Sequence, residues 1–346
     1  MAATSYNIAV NSNGLVLSLG TNSNGNNKAA SEIADDVWTN TGLLPVNVVY
    51  TINPVSAGGC VGSPFTITIT VNPEPFVNDV ISTKCSDEVL GITLAGVATS
   101  VAADTYTIAV ANNGLTQSGG TVSAGALKAA NEIADDVWRN TGLLPVNVVY
   151  TITPVSADGC SGNNFTVTVT INPEPVGANS LVTVCSDNAV ATNLTTSGFA
   201  VAAANFNIAV VDNGLALASG TPSAGSSKAA NEIADDVWHN ESNAVVNVIY
   251  TITPVSAAGC EGNPFTITVT VNPEPVLAAG LDDAVCSDDI VDLVLNTNGA
   301  SVSAASYNII SRTVAGGLTP VAQVTAPING VAANYLRNEI YRNTNN

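Results

Sequence analysis

The chain is 346 residues long, enough for three or four domains of about one hundred residues that each bury their own core. Twenty-seven acidic residues face eight basic ones, a formal charge of −19, which excludes nucleic acid and anionic membrane surfaces as partners because both demand basic patches. Only 10% of residues are charged, so solubility rests on Asn, Thr and Ser, as on an extracellular β-protein, and no run reaches the roughly 18 apolar residues of a membrane helix.

A block of one hundred residues is written three times in register. Trp38, Trp138 and Trp238 fall one hundred apart, as do Tyr50, Tyr150 and Tyr250, and Cys60, Cys160 and Cys260. A period this long matches a whole small domain rather than one supersecondary unit. Residues 76–175 and 176–275 read as complete copies, and 1–75 and 276–346 as partial ones. The opening MAATSYNIAV has no basic or apolar signal region and lies mid-repeat, so the chain reads as a window on a longer repetitive protein.

In chain order, Tyr6–Val10 alternates apolar and polar residues and closes on Asn13-Gly14, a strand and a turn. Lys28–Trp38 is Ala-rich with Ile33 and Val37 four apart, which predicts a helical crossing of about three turns, although Ile33, Asp35 and Val37 also alternate as a short strand would. The recurrent Trp38, Trp138 and Trp238, with Tyr50, Tyr150 and Tyr250, are expected to anchor the core. Val46–Pro54 presents Val48, Tyr50 and Ile52 on one face, and the turn-rich Ser56–Pro64 leads into Phe65–Val71, predicting an antiparallel hairpin. Phe65, Ile67, Ile69 and Val71 should face the core and the threonines the solvent; Phe165–Ile171 and Phe265–Val271 repeat this. The whole is predicted to be all-β: tandem sandwiches, each with one short helical turn.

Asn72-Pro73-Glu74-Pro75 recurs with Pro173 and Pro175 and with Pro273 and Pro275. Paired prolines end a strand and stiffen the chain, so the copies are expected to lie end to end in a rod on the order of 100–150 Å long.

The run from Glu132 to Pro175 resembles the PKD-like, immunoglobulin-like domains of very large cell-surface adhesins of the Bacteroidota. It carries Ile133 to Asn140-Thr141, Val148–Pro154, Gly159–Gly162 and Val167–Pro175, and Cys85-Ser86 and Cys185-Ser186 fit the start of the repeat. The resemblance covers residues 1–300 well and the last 45 or so loosely. It implies export by a type IX route and a role in attachment or gliding.

Six cysteines with only one His argue for disulfides rather than a metal site. Local pairing would join Cys60–Cys85, Cys160–Cys185 and Cys260–Cys286. Domain pairing would join Cys85–Cys160 and Cys185–Cys260, leaving Cys60 and Cys286 unpaired. The strand after Cys60 runs some 25 Å to the far end of its copy, whereas bonded Cα atoms lie within about 7 Å, so domain pairing is expected. The pairs Asp35-Asp36, Asp135-Asp136 and Asp235-Asp236 are calcium candidates or simply a solvated face; otherwise no cofactor is expected. Lys28, Lys128 and Lys228, four before Glu32, Glu132 and Glu232, read as helical ion pairs, with a Lys–Asn isopeptide as the sharper alternative.

Nucleophilic catalysis fails on inventory: His239 stands where the other copies carry Thr39 and Arg139, so no enzyme is expected and no catalytic residue is assigned. The expected role is an extracellular, cell-surface stalk whose partners are a surface ligand or further copies of itself. The alternatives are a filament completed by strand exchange and a multivalent carbohydrate binder.

Overall fold

In the computed structural model, which describes residues 2–322 and 325–344, the chain divides into two compact units, Met1–Glu174 and Pro175–Asn346. The outermost residues of the expected terminal copies, Met1, Asn345 and Asn346, lie outside the described residues.

In the first unit, the first copy contributes β1 (Ala3–Asn11), β2 (Val16–Leu19), β3 (Gly25–Lys28), β4 (Val37–Thr39), β5 (Val46–Ser56) and β6 (Phe65–Val71). The second copy contributes β7 (Val80–Cys85), β8 (Thr105–Ala111), β9 (Thr116–Gly119), β10 (Gly125–Lys128), β11 (Val137–Arg139), β12 (Val146–Val155) and β13 (Phe165–Asn172). β10-β8-β12-β13-β7 form one sheet, and β9 pairs with β11 as a two-stranded ribbon. In the first copy the sheet is β3-β1-β5-β6 with the ribbon β2-β4. In the second unit, β14 (Ser180–Cys185), β15 (Ala203–Val211), β16 (Ala216–Ser219), β17 (Gly225–Lys228), β18 (Val237–His239), β19 (Val246–Ser256) and β20 (Phe265–Asn272) reproduce the second copy. Four short strands follow as two ribbons: β21 (Tyr307–Ile309) with β23 (Ile328–Val331), and β22 (Leu318–Ala322) with β24 (Ile340–Asn343).

The alternating strands do what their pattern dictates. β12 and β13 pair antiparallel from Val146↔Ile171 to Ile152↔Phe165, so Val148, Tyr150 and Ile152 share one face with Phe165, Val167, Val169 and Ile171. All seven are buried. The copies keep separate cores: Val77 to Ile171 in the second, Val190 to Val271 in the third, Ile8 to Ile52 in the first.

The order of strands holds one feature that the alternation does not announce. β7 lies parallel to β13, from Val80↔Val167 to Cys85↔Asn172, and β14 lies parallel to β20 in the same way. A parallel partner must arrive from a crossover, here the whole domain. Among the described residues nothing occupies the equivalent edge of β6, so Phe65 and Ile69 are 46% and 45% exposed, where Phe165 and Val169 are buried. The expectation that all four apolar residues of β6 face a closed core is corrected accordingly.

The predicted three-turn helix is one 3-10 turn, Glu32–Asp35, with turns alone in the second and third copies. Its flanks are claimed by strands: β3 pairs with β1, and β4 with β2. The Lys pairs survive as short ion pairs, Lys28–Glu32 at 2.8 Å and Lys128–Glu132 and Lys228–Glu232 at 2.7 Å; each ammonium also donates to a backbone carbonyl, of Asn22, Val122 and Pro222. Gly120 (φ +85°) lets the chain cross here, since a Cβ would stand 2.4 Å from the Asp135 carbonyl oxygen.

A buried polar relay joins the ribbon to the large sheet. Trp138 Nε1 donates to Tyr150 Oη (2.8 Å), and Tyr150 Oη donates to Asp136 Oδ2 (2.7 Å). Asp136 Oδ1 accepts from Ser123 Oγ (2.8 Å) and Gln117 Nε2 (2.9 Å). The first and third copies repeat the Trp–Tyr–Asp–Ser chain. Tyr50, Tyr150, Tyr250, Trp138 and Trp238 are buried, but Trp38 is only half-buried. In the second copy Asp87 N–H donates to the Trp138 carbonyl and Val89 bridges Val137, a cover with no counterpart over β4 among the described residues.

Burial raises the Asp136 and Asp236 carboxyls above the usual range, against the hydroxyl donors that pull the other way, and pushes Tyr50 up to about 12. Because the folded state favours the protonated carboxyl, this stabilising contribution is complete below the unfolded value of about 3.9 and is lost as pH rises through the folded value. Asp136→Asn with Asp236→Asn removes that loss, so thermal melts of the variant and the parent should converge towards neutral pH from a wider gap in acid. A constant gap across the range would contradict the assignment.

Gln117 is replaced by Leu17 and Leu217 in the sister copies, and there Asp36 Oδ1 and Asp236 Oδ1 are buried without a partner. Leu217→Gln should supply the missing donor and stabilise the third copy by about 1 kcal/mol, read as slower hydrogen exchange of β19 amides.

Candidate functional site: the repeat junction and its charged rim

Each junction grows from one asparagine. Asn40 Nδ2 donates to the Leu44 (3.0 Å) and Val71 (2.9 Å) carbonyls, and its Oδ1 accepts from Gly42 N–H (3.0 Å). Its own carbonyl accepts from Glu74 N–H at 2.8 Å, which fixes the Pro73-Glu74-Pro75 segment against the end of β6. Asn140 and Asn240 do the same for Glu174 and Glu274. Pro73, Pro75, Pro173 and Pro175 are buried, Pro273 half-buried and Pro275 exposed.

Within the first unit the two copies meet through this segment. Val101 N–H donates to the Gly42 carbonyl (3.0 Å), and Phe76 N–H donates to Ser100 Oγ (3.1 Å). The cysteine loop of the second copy closes on the junction: a Cβ on Gly162 would stand 1.9 Å from the Pro75 carbonyl oxygen. In the second unit Val302 N–H donates to the Ser242 carbonyl (3.2 Å), the counterpart of the Val101 bond.

The cysteines depart from the expected domain pairing. Cys85 and Cys260 are each disulfide-bonded, whereas Cys60, Cys160, Cys185 and Cys286 carry free thiols. Neither Cys85–Cys160 nor Cys185–Cys260 is therefore formed. The parallel strand explains why: Cys85 stands opposite Asn172 at the end of β13, while Cys160 lies before Phe165 at its start. The two are separated by a strand of eight residues, about 25 Å, far beyond disulfide reach. Cys185 and Cys260 are held apart by β20 in the same manner. Alternation in Ser180–Cys185 was the available signal for the missed strand.

Beside each junction lies a charged rim. In the second copy Arg139 binds Asp87 (2.8 Å) and approaches Glu174 (4.0 Å); burial raises the Glu174 carboxyl, Asp87 adds to the rise, and Arg139 opposes it. Beyond the third copy Arg342 binds Asp288 (3.0 Å). In the third, His239 takes the arginine's place: Nδ1 lies 3.0 Å from Asp187 Oδ1 and 3.7 Å from Glu274 Oε1, and Nε2 lies 3.2 Å from Glu241 Oε1. The hydrogen bond to Asp187 holds this imidazole's pKa above its ordinary value, with Asp187, Glu241 and Glu274 adding charge attraction and desolvation opposing. Asp187, His239 and Glu274 are the group of metal-ligating side chains close enough to hold an ion among the described residues. The Asp pairs gather no such group. Asp36, Asp136 and Asp236 turn inward to tyrosine, and Asp35 and Asp135 accept from Thr21 and Thr121.

The fold and these junctions define tandem immunoglobulin-like β-sandwich modules. The model of the PKD-like domain matches residues 5–75, 82–175 and 182–275, and the chain belongs to that family. Among solved structures it is similar to Drosophila N-cadherin EC1-4 (13% identity, 78% of this chain and 67% of that one, TM-score 0.25) and to the chicken CNTN1 FN1-FN3 domains (12%, 78% and 89%, 0.26). It is also similar to the D00-D0 domain of intimin (15%, 56% and 96%, 0.22). Comparison with curated proteins gave no match. No helix among the described residues is long and apolar enough to cross a membrane.

Gly162→Ala should push the cysteine loop away from Pro75 and loosen the junction without touching either core. Limited proteolysis should then cut between residues 75 and 78 several times faster, with β12 exchange unchanged. Unchanged cleavage would show that the loop carries no part of the coupling.

Proposed function

We propose that the chain is a stalk segment of a large repetitive extracellular adhesin, a load-bearing spacer that holds a binding tip away from a cell surface. The observation that carries this reading is the separation of cores: the three hydrophobic clusters share no residue, so each sandwich stabilises itself and the series can be lengthened by repetition. The asparagine clamp at residues 40, 140 and 240 supports a junction of fixed form, and the buried prolines stiffen it. The domain limits proposed are 1–75, 76–175, 176–275 and 276–346, laid end to end as a rod at the cell surface. Attachment or gliding after type IX export is the setting that the family resemblance favours.

A second reading rests on the open edge of β6. Its unpaired backbone and half-exposed Phe65 and Ile69 suit the addition of a strand from a neighbouring copy, which would make the protein a filament subunit.

Single-molecule stretching of the full chain, under reducing conditions, distinguishes these from a merged globule. Each complete copy should give its own force peak, releasing about 300 Å of chain. One cooperative event would sink the stalk reading, and regular fibres in electron micrographs of the unreduced protein would replace it with the filament.

A further inference from the structure

The rim of the third copy has kept its carboxylates and lost its permanent cation. At the matching place in the second copy, and again beyond the third, an arginine neutralises them, as Arg139 with Asp87 and Glu174 and Arg342 with Asp288. In the third copy the arginine is His239, and Thr141 has become Glu241. Imidazole, unlike guanidinium, is not a permanent cation, so Asp187, Glu274 and Glu241 converge on a side chain that is itself a metal ligand. One substitution removes the built-in cation, and the other adds a further oxygen beside the ring.

We propose that His239 Nδ1, Asp187 and Glu274 form a binding site for a zinc-class divalent cation, with Glu241 orienting the imidazole from its far side. The two faces of the ring are already divided between these roles. Asp187 Oδ1 and Glu274 Oε1 lie on the Nδ1 side at 3.0 and 3.7 Å, and all three candidate ligand atoms fall within 4.8 Å of one another. Ligands at about 2.0–2.2 Å around a tetrahedral ion stand roughly 3.4 Å apart, so small side-chain rotations close the site. Glu241 Oε1, 3.2 Å from Nε2, accepts the ring proton on that side, so an arriving cation displaces the Nδ1 proton that now faces Asp187 and releases it to solvent. Three protein ligands leave the fourth position of the ion to water.

The chemistry selects among cations. Imidazole nitrogen with two carboxylates suits zinc and its neighbours, whereas calcium takes six to eight oxygen ligands and gains little from a nitrogen. The backbone holds the ligands from three places: His239 ends β18, Asp187 follows the end of β14, and Glu274 is fixed by its N–H bond to the Asn240 carbonyl at 2.9 Å. The cation would thereby tie the first strand, the ribbon and the exit of the third sandwich at its junction, the part that Arg139 plays in the second.

The test uses the full chain with its free thiols alkylated, because thiolates would bind zinc themselves. Calorimetric titration with zinc chloride should give one equivalent bound, and proton NMR of the single histidine should show its ring signals moving with the same stoichiometry. His239→Arg restores the ion pair of the second copy, so it should fold normally and lose zinc binding at least tenfold. Glu241→Thr, the second copy's residue, should weaken binding by about 10-fold while leaving the stoichiometry at one. Absence of zinc binding, or binding that persists unchanged in His239→Arg, overturns the site; so does calcium binding with equal strength.

Discussion

The hydrogen-bond relay from Trp138 through Tyr150 to Asp136 is the constraint on which each sandwich depends. Apolar alternation alone would allow β12 and β13 to close against almost any greasy surface. The relay admits one arrangement, because a buried tyrosine hydroxyl and a buried carboxylate are costly unless each meets the other. Trp138 arrives from the ribbon, Tyr150 from the sheet, and Ser123 from the loop before β10, so three layers of chain are pinned at one point. Its recurrence in all three copies, one hundred residues apart, explains why the segment around EIADDVW is the least variable part of the repeat.

That relay also explains which features could be read in advance. The hairpin of β5 and β6 announced itself, since β-branched residues at period two leave little else to do. The segment from Lys28 to Trp38 misled, because Ala, Glu and Lys favour helix locally while tertiary pairing claimed both its ends. Asp136 in particular looks like a solvent-facing acid beside Asp135, and nothing in the letters says that it turns inward to Tyr150. Burial of a carboxylate by a partner twelve or more residues away is invisible to local pattern.

The cysteines fail in the same instructive way. Their spacing suggested a clasp across each domain, and the length of β6, the strand after Cys60, argued against the local alternative. The matching length of β13 rejects the clasp, once β7 is seen to run alongside β13 rather than against it. Strand direction is a property of topology, and only the position of Cys85 opposite Asn172 reveals it. The junction clamp was half legible: the prolines stood out, whereas Asn140 entered only as a letter of the family pattern, with nothing to mark it as the clamp. At the rim, His239 was noticed as an oddity of one copy, but Glu274 and Asp187, the carboxylates on its Nδ1 side, come from segments 35 and 52 positions away.

The parallel first strand has a mechanical meaning. In the second sandwich the chain enters through β7 and leaves through β13, which lie side by side and point the same way. A pull on the two ends therefore drags these strands past each other along their length, loading six paired positions at once instead of peeling them one by one. Shear of this kind demands that many bonds rupture together, whereas an antiparallel pair with both ends on one side opens like a zip. The third sandwich, with β14 beside β20, inherits the same resistance.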